Sequence, residues 1–373
     1  MPSSCLFRNL LAVAVLLITP FQTVRAQTAA QPEIWIGPAS WFSTPGASHP
    51  RAVDFMDMFK PDAPWQDAAS HVQVFRLGSV FFHRLGQESN QNEVNTVVTD
   101  LKRRHIAIAV EIGVINLIPG SCPDHIQEGY GTLDQARKVI DMIKTAGGEI
   151  KYLNTDELLN YGHYFERSPS KTGCQLPINK IISRSTEILG LFKQEFPNII
   201  VGETEPTAMM REEGNNHIKE RPDWRAAMAE YYTQFRDALG QPVDFLILDP
   251  QWEFKRGSVA EDVHTFYDYA QELKRRGLIR RIGIMYNGGG PFDKTDAEWV
   301  KSARDHMATV EKSYRPGPDI IGFFSWQDNP THAMPDDSSK DTLTGVVTYY
   351  FSHYGRTGQP PQPNPQAGQT NQR

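Results

Sequence analysis

Short apolar runs rich in β-branched residues recur along the chain, each separated from the next by a longer stretch of mixed character. Most of these runs are apolar almost without interruption, which is typical of parallel strands covered by helices. They occupy residues 33–37, 72–77, 106–112, 150–154, 199–203, 243–248, 282–286 and 320–325. The pattern predicts eight strands in that order.

The stretches between the runs have the periodicity of amphipathic helices. In residues 133–146, Leu133, Ala136, Ile140 and Ile143 share one face, and a Gly-Gly pair follows as a stop signal. Comparable helices are predicted over residues 178–196, 223–239, 259–276 and 296–314. Each leads within a few residues into the next apolar run, which is the strand–helix unit of an α/β fold.

Eight strand–helix units close into a barrel more readily than they form an open sheet. The open, doubly wound alternative would carry a Gly-rich turn directly after its first strand, and residues 36–40 contain no GxGxxG. The sequence therefore predicts an α/β fold, a single-domain (β/α)8 TIM barrel, over residues 27–354.

The two ends of the chain depart from this pattern. Residues 1–26 combine Arg8, an apolar run and the small residues Val24 and Ala26, which is typical of a cleaved signal peptide. The run is shorter than the roughly 20 apolar residues of a membrane span; an uncleaved anchor is the alternative. Residues 355–373 are rich in Pro, Gln and Gly and are predicted to be disordered. We expect the mature chain in the periplasm or the medium.

The charge of the chain limits the classes of binding partner, and its cysteines indicate a possible disulfide. The net charge is −6 and the chain has no basic run, which argues against nucleic acid or an anionic membrane surface. Beyond the predicted leader the cysteines are Cys122 and Cys174. In an oxidising compartment such a pair is a disulfide candidate, which would tie the loops after strands 3 and 4 together; two free thiols are the alternative. We expect no membrane insertion after processing, and the oligomeric state stays open.

Polar and charged residues crowd the carboxyl ends of the predicted strands, where barrel enzymes have their sites. In strand order they are Arg76, Glu111, Asn154 with Asp156 and Glu157, Glu203 with Glu205, Asp249 with Trp252, Tyr286 with Asn287, and Trp326. Gathered carboxylates repel one another and raise at least one pKa. With strands about 4.8 Å apart, acids on neighbouring strands would be roughly 5–10 Å apart, the range used in glycoside hydrolysis.

Aromatic residues form a second set at these strand ends and in the loops beyond them. Sugar rings have apolar faces that stack on aromatic rings, although any single member is more simply a core residue. The set comprises Trp41, Phe81, Phe82, Tyr130, Tyr161, Tyr164, Trp252, Tyr286 and Trp326.

These strand ends resemble those of the (β/α)8 glycoside hydrolases, in particular the large clan with its general acid at the end of strand 4. An Arg on strand 2, an Asn-Glu pair on strand 4 and a Trp on strand 8 recur there, and Arg76, Asn154 and Trp326 stand in similar places. The resemblance implies a glycosidase that needs no cofactor or metal. Two features depart from the pattern: two residues separate Asn154 from Glu157, and strand 7 ends without the Glu that serves as the clan's nucleophile.

The second carboxylate must then come from strand 5 or strand 6. The working hypothesis gives Glu157 or Asp156 the role of proton donor, and Glu205 or Glu203 the role of base or nucleophile. The remaining strand-end residues would contact the sugar: Arg76, Glu111, Asn154, Asp249, Trp252, Tyr286, Asn287 and Trp326.

Two other functions stay open. A metal-dependent barrel enzyme acting on a sugar-like substrate would use Glu111, Glu203, Glu205 and Asp249 as oxygen ligands. Loop histidines could join these acids, namely His125 and His163, which precede Glu128 and Glu166 by three residues, and His332. A barrel that binds carbohydrate without turnover is the third reading, and the missing Glu on strand 7 favours it.

Overall fold

The computed structural model describes most of the chain beyond the predicted leader. The described residues are 31–40, 51–83, 91–122, 128–164, 174–207, 221–250, 252, 263–289, 293–326 and 328–355. The predicted signal peptide, the tail after residue 355, Trp41 and His125 lie outside them.

Eight parallel strands form the centre of the fold. They are β1 Glu33–Gly37, β2 Val74–Gly78, β3 Ala107–Ile112, β4 Ile150–Asp156, β5 Ile200–Pro206, β6 Val243–Asp249, β7 Ile279–Met285 and β8 Ile320–Phe324. Each pairs with its neighbour in chain order, and β1 pairs with both β2 and β8, so the sheet closes. The predicted (β/α)8 barrel is confirmed. A small parallel ladder, Ile115–Asn116 with Tyr130–Gly131, lies in the connection after β3.

Helices follow the strands around the barrel. They are α1 Gln66–His71, α2 Gln91–Arg103, α3 Leu133–Thr145, α4 Ile178–Glu195, α5 Trp224–Leu239, α6 Val263–Arg275, α7 Asp296–Ser313 and α8 Leu343–His353. The periodicity located five of these and missed α1, α2 and α8. No helix in the described ranges has the length and apolar character needed to cross a membrane.

The ends of the helices follow local chemistry. Thr132 and Gln135 form a capping box at the start of α3, in which each side chain accepts a hydrogen bond from the other residue's backbone N–H. The helix α5 ends at Gly240, whose φ of 74° is the left-handed conformation that glycine adopts without a steric cost.

Alternation along the strands divides the apolar residues into two layers. One layer packs between the strands and the helices, and the other fills the barrel. The inner layer consists of Trp35, Val74, Ala109, Tyr152, Phe245, Ile247, Met285, Ile320 and Phe324. The inner position Gly202 must be glycine, because a Cβ there would lie 2.3 Å from the Phe245 ring.

Polar groups close the amino-terminal end of the barrel. The Glu33 carboxylate accepts hydrogen bonds from Trp35 Nε1 at 2.7 Å, from Tyr152 Oη at 3.0 Å and from Arg281 Nη1 at 3.2 Å. With this end closed and the middle filled by large side chains, the open space lies at the carboxyl ends of the strands.

Candidate active site

A cleft lies over the carboxyl ends of the strands. Five carboxylates and one arginine line it, on the strand ends and in the segments that follow. The lining residues are Pro38, Ser40, Arg76, Gly78, Glu111, Glu128, Asp156, Glu157, Thr204, Asp249, Met285, Ser325 and Trp326. Six of the predicted site residues therefore line one cleft: Arg76, Glu111, Asp156, Glu157, Asp249 and Trp326.

Arg76 on β2 and Glu111 on β3 form an ion pair. The Arg76 guanidinium also lies 3.9 Å above the Phe324 ring centroid, and Asn154 Nδ2 donates to Glu111 Oε2 at 2.9 Å. Burial raises the pKa of Glu111 even though Arg76 opposes the rise. The buried Asn154 amide also hydrogen-bonds Thr204 Oγ1 at 3.0 Å, so it fixes the carboxylate instead of facing the cleft.

Asp156 is the last residue of β4 and lines the cleft. Its pKa is raised well above the usual range, first by burial and then by the negative charges of Glu111 and Glu128. Asp156 is therefore protonated well into the pH range in which an exposed aspartate is ionised.

Glu157 follows with a backbone conformation that side chains rarely adopt, at a φ of 50°. Its N–H donates to the Thr204 carbonyl at 2.9 Å, and its Oε2 accepts from Asn160 Nδ2 at 3.1 Å. Burial, then the charges of Glu128 and Asp156, raise its pKa well above the usual range. This backbone conformation costs a non-glycine residue about 1–3 kcal/mol, so the surrounding contacts must hold Glu157 in place. Glu157 thus presents to the cleft a carboxyl that keeps its proton to a higher pH than an exposed glutamate does.

Asp249 ends β6, with only β5 between it and β4. Its Oδ1 is buried and has no hydrogen-bond partner among the described residues. Burial raises its pKa to about 7, Arg76 opposes the rise, and Glu111 adds to it. Near neutral pH, Asp249 therefore exchanges between a proton acceptor and a proton donor.

Glu203 and Glu205 are on the opposite face of the sheet from the cleft, which departs from the prediction that they face the site. The strand β5 continues to Pro206, and its Thr204 is in register with Asp156 and lines the cleft, so both glutamates point outward. The missed signal was the register of β5 against β4, which cannot be read from β5 alone.

Glu128 also lines the cleft, although in the sequence it stands out only by its spacing from His125. It lies just before the Tyr130–Gly131 strand, and the Tyr161 hydroxyl hydrogen-bonds to it. Burial, then the charges of Glu157 and Glu128, raise the pKa of Tyr161. The folding of the connection after β3 back over the barrel brings Glu128 to the site.

Besides Asn154, three predicted sugar contacts do not line the cleft. The Trp252 ring stacks on His306 with 4.6 Å between centroids. Tyr286 is fully buried and donates to Glu311 Oε1 at 3.1 Å, on the helix side of β7. Asn287 is 5% exposed, and its carbonyl lies 2.7 Å from His306 Nδ1. These three residues therefore contact α7 and not the cleft in which a sugar would bind.

Most of the other aromatic residues are core residues in this structure. Phe81, Phe82, Tyr130 and Tyr164 are buried in the layer between strands and helices. Trp326 is the one member of the predicted set that lines the cleft as far as the described chain extends.

The predicted disulfide is confirmed. Cys122 and Cys174 are bonded, with 5.4 Å between their Cα atoms. The bond joins the connection after β3 to the connection after β4, the two segments that contribute Glu128 and Glu157 to the cleft.

The predicted metal ligands are divided between the two faces of the sheet. Glu111 and Asp249 line the cleft, while Glu203 and Glu205 point outward. Of the loop histidines, His163 Nδ1 lies 2.9 Å from the Leu176 carbonyl, and His332 is half-exposed. Within the described ranges no group of three or more Asp, Glu, His or Cys residues is arranged to hold an ion.

No protein-family model and no curated protein sequence matches the chain. Solved structures with a similar fold include a glycoside hydrolase, GH5_18 from Streptomyces cattleya in complex with GlcNAc, with 12% identity, a TM-score of 0.47, and coverage of 90% of this chain and 83% of that one. They also include Xylanase10C from Cellvibrio japonicus, with 8% identity, a TM-score of 0.43 and coverage of 86% and 67%. A D-psicose 3-epimerase shows 11% identity, a TM-score of 0.44 and coverage of 87% and 100%. At these identities and scores the chemistry must be argued from the cleft itself.

Proposed function

We propose that the chain is a glycoside hydrolase that cleaves a poly- or oligosaccharide through two carboxyl groups on opposite sides of the cleft. Glu157, with Asp156 as the alternative, protonates the glycosidic oxygen, and Asp249 acts from the other side of the sugar ring. Asp249 takes the place that Glu205 and Glu203 had in the hypothesis drawn from the sequence.

The observation that carries this proposal is that Glu157, directly after β4, and Asp249, at the end of β6, line one cleft. The pKa of Glu157 is raised well above the usual range, and that of Asp249 is raised to about 7. Carboxyls with raised pKa values can give up or accept a proton near neutral pH, as general acid–base catalysis requires. The desolvated, unpartnered Oδ1 of Asp249 is suited to accept a proton from water.

The position of the two groups favours inversion of the anomeric centre. The strands β4 and β6 are separated by β5, so their backbones are about 10 Å apart at the usual strand spacing. Inward-pointing side chains converge, which brings the carboxyls toward the roughly 6.5–9.5 Å that leaves room for an attacking water. Trp326 supplies the aromatic face, and the Arg76–Glu111 pair supplies hydrogen bonds to sugar hydroxyls.

The proposal includes export of the chain. Disulfides persist in oxidising compartments, so the Cys122–Cys174 bond supports a periplasmic or secreted protein.

A glycan screen of the purified mature protein, with and without EDTA, tests the proposed function. We expect turnover that survives EDTA and is lost in Glu157→Gln, while Glu311→Gln, on α7, retains it. Proton NMR of the first-formed anomer then tests inversion. Turnover that EDTA abolishes would point to the metal enzyme instead. Binding of an oligosaccharide without turnover would point to a binding protein.

A further inference from the structure

Glu203 and Glu205 are two neighbouring ionisable residues that take no part in the proposed mechanism. Both side chains are fully buried between β5 and the surrounding segments. Burial raises the pKa of Glu205 well above the usual range, and the neighbouring Glu203 carboxyl raises it further. Two adjacent buried carboxyls cannot both ionise, so the pair retains a proton. Burial of such a pair is costly unless hydrogen bonds compensate for the lost water.

The pair accepts three consecutive backbone N–H groups from the segment after β4. Glu203 Oε1 accepts from Leu158 N at 3.2 Å. Glu205 Oε1 accepts from Leu159 N at 2.7 Å, and its Oε2 lies 3.3 Å from Asn160 N. These N–H groups begin a helical turn, where backbone donors have no partner within the helix. The two carboxyls therefore cap the turn from the neighbouring strand.

The capped turn begins directly after Glu157, the residue with a φ of 50°. The Glu157 N–H donates to the carbonyl of Thr204, which lies between the two glutamates on β5. From α5, the Tyr231 hydroxyl donates to the same Glu203 Oε1 at 2.9 Å and helps to hold that carboxyl in place. Glu157 is thus held on both sides by contacts to one short segment of β5.

We propose that Glu203 and Glu205 are positioning residues, a carboxyl pair sharing one proton that holds the turn after β4 and thereby the left-handed Glu157. Glu205 carries the proton and donates it in a hydrogen bond to Glu203. The inference rests on the proposed function in so far as Glu157 is the proton donor. Neither glutamate touches the substrate, because both are on the helix side of the sheet.

The comparison of Glu205→Gln with Glu205→Leu tests this arrangement. Glutamine is neutral like a protonated glutamate, keeps an acceptor for Leu159 N and can still donate to Glu203. We expect Glu205→Gln to keep kcat within about 5-fold of the wild type. Leucine has no acceptor for Leu159 N or Asn160 N, so we expect kcat to fall about 100-fold with KM within about 3-fold, as for a displaced catalytic group.

Glu311 offers the matched control. Its Oε1 accepts the hydroxyls of Tyr286 and Tyr350 and touches no part of the turn. Glu311→Gln and Glu311→Leu should keep kcat near the wild-type value, even where the leucine variant melts at a lower temperature. A Glu205→Leu variant that keeps full kcat, or a Glu205→Gln variant as impaired as the leucine variant, would overturn the inference.

Amide hydrogen exchange at Leu159 gives a readout that needs no activity. We expect wild-type protection in Glu205→Gln and lost protection in Glu205→Leu. If the leucine variant does not fold, Glu205→Asp replaces it, because the shorter side chain withdraws the acceptor with less change in volume. Unchanged protection in that variant would overturn the inference. If the wild-type protein turns over no glycan while the two variants still differ in protection as expected, the proposed function is refuted and the turn-holding role remains.

Discussion

Asp249→Asn should make the protein more stable at alkaline pH while it removes the proposed proton acceptor. In the folded chain the pKa of Asp249 is about 7, against 3.8 for an ordinary aspartate. Below about pH 4 both the folded and the unfolded chain hold the proton, so the carboxyl has no effect on stability there. As the pH rises, the unfolded chain releases the proton first, and this release favours unfolding.

The magnitude follows from the shift. A difference of about 3 pKa units, at about 1.4 kcal/mol each, amounts to about 4 kcal/mol lost between pH 4 and pH 7. Asparagine has no such dependence, and any cost of its unpaired amide is the same at every pH. Asp249 also raises the pKa of Asp156 and of Glu157. Its removal therefore lowers both pKa values and stabilises the variant further at the higher pH.

Urea unfolding followed by tryptophan fluorescence, at about pH 4 and about pH 8 with the disulfide intact, measures the effect. The difference in unfolding free energy between variant and wild type should shift in favour of the variant by about 4 kcal/mol from the lower to the higher pH. Asp134→Asn is the control, because the Asp134 side chain is 94% exposed and water surrounds it in both states. A difference for Asp249→Asn that is the same at both pH values would refute the reasoning.

Three further predictions concern the cleft and its framework. Glu157→Gln should lower kcat by about 10²–10⁴-fold with little change in melting temperature, since the amide resembles the protonated acid; steady-state kinetics on the glycan found by screening checks this. Arg76→Met leaves the Glu111 carboxylate buried without its partner and should cost about 3–5 kcal/mol in urea unfolding at neutral pH, whereas a loss below about 1 kcal/mol would contradict a buried pair. Replacing Cys122 and Cys174 together by serine should lower the unfolding free energy by about 2–4 kcal/mol, and a reductant should then leave the variant's melting temperature unchanged.

Much of the fold could be predicted because its signals are local. Near-continuous apolar runs located all eight strands, and the α3 capping box and the Gly240 stop agree with the helix periodicity. The helix α1 is only six residues long and gave no usable periodicity. The disulfide was predictable because two cysteines remained beyond the predicted export signal, and the structure confirms the pair.

The sequence by itself determined which carboxylates stand at the strand ends, and Asp156, Glu157, Glu111 and Asp249 all line the cleft. It did not determine the face to which the β5 acids point, since a shift of one residue in register exchanges the two faces of a strand. Pairing with β4 decided that Thr204 faces inward and that Glu203 and Glu205 face outward. Only the tertiary structure brought Glu128 to the cleft, because that contact depends on how a long connection folds back over the barrel. The raised pKa values of Glu157 and Asp249 come from burial and neighbouring charges, which exist only once the barrel has closed.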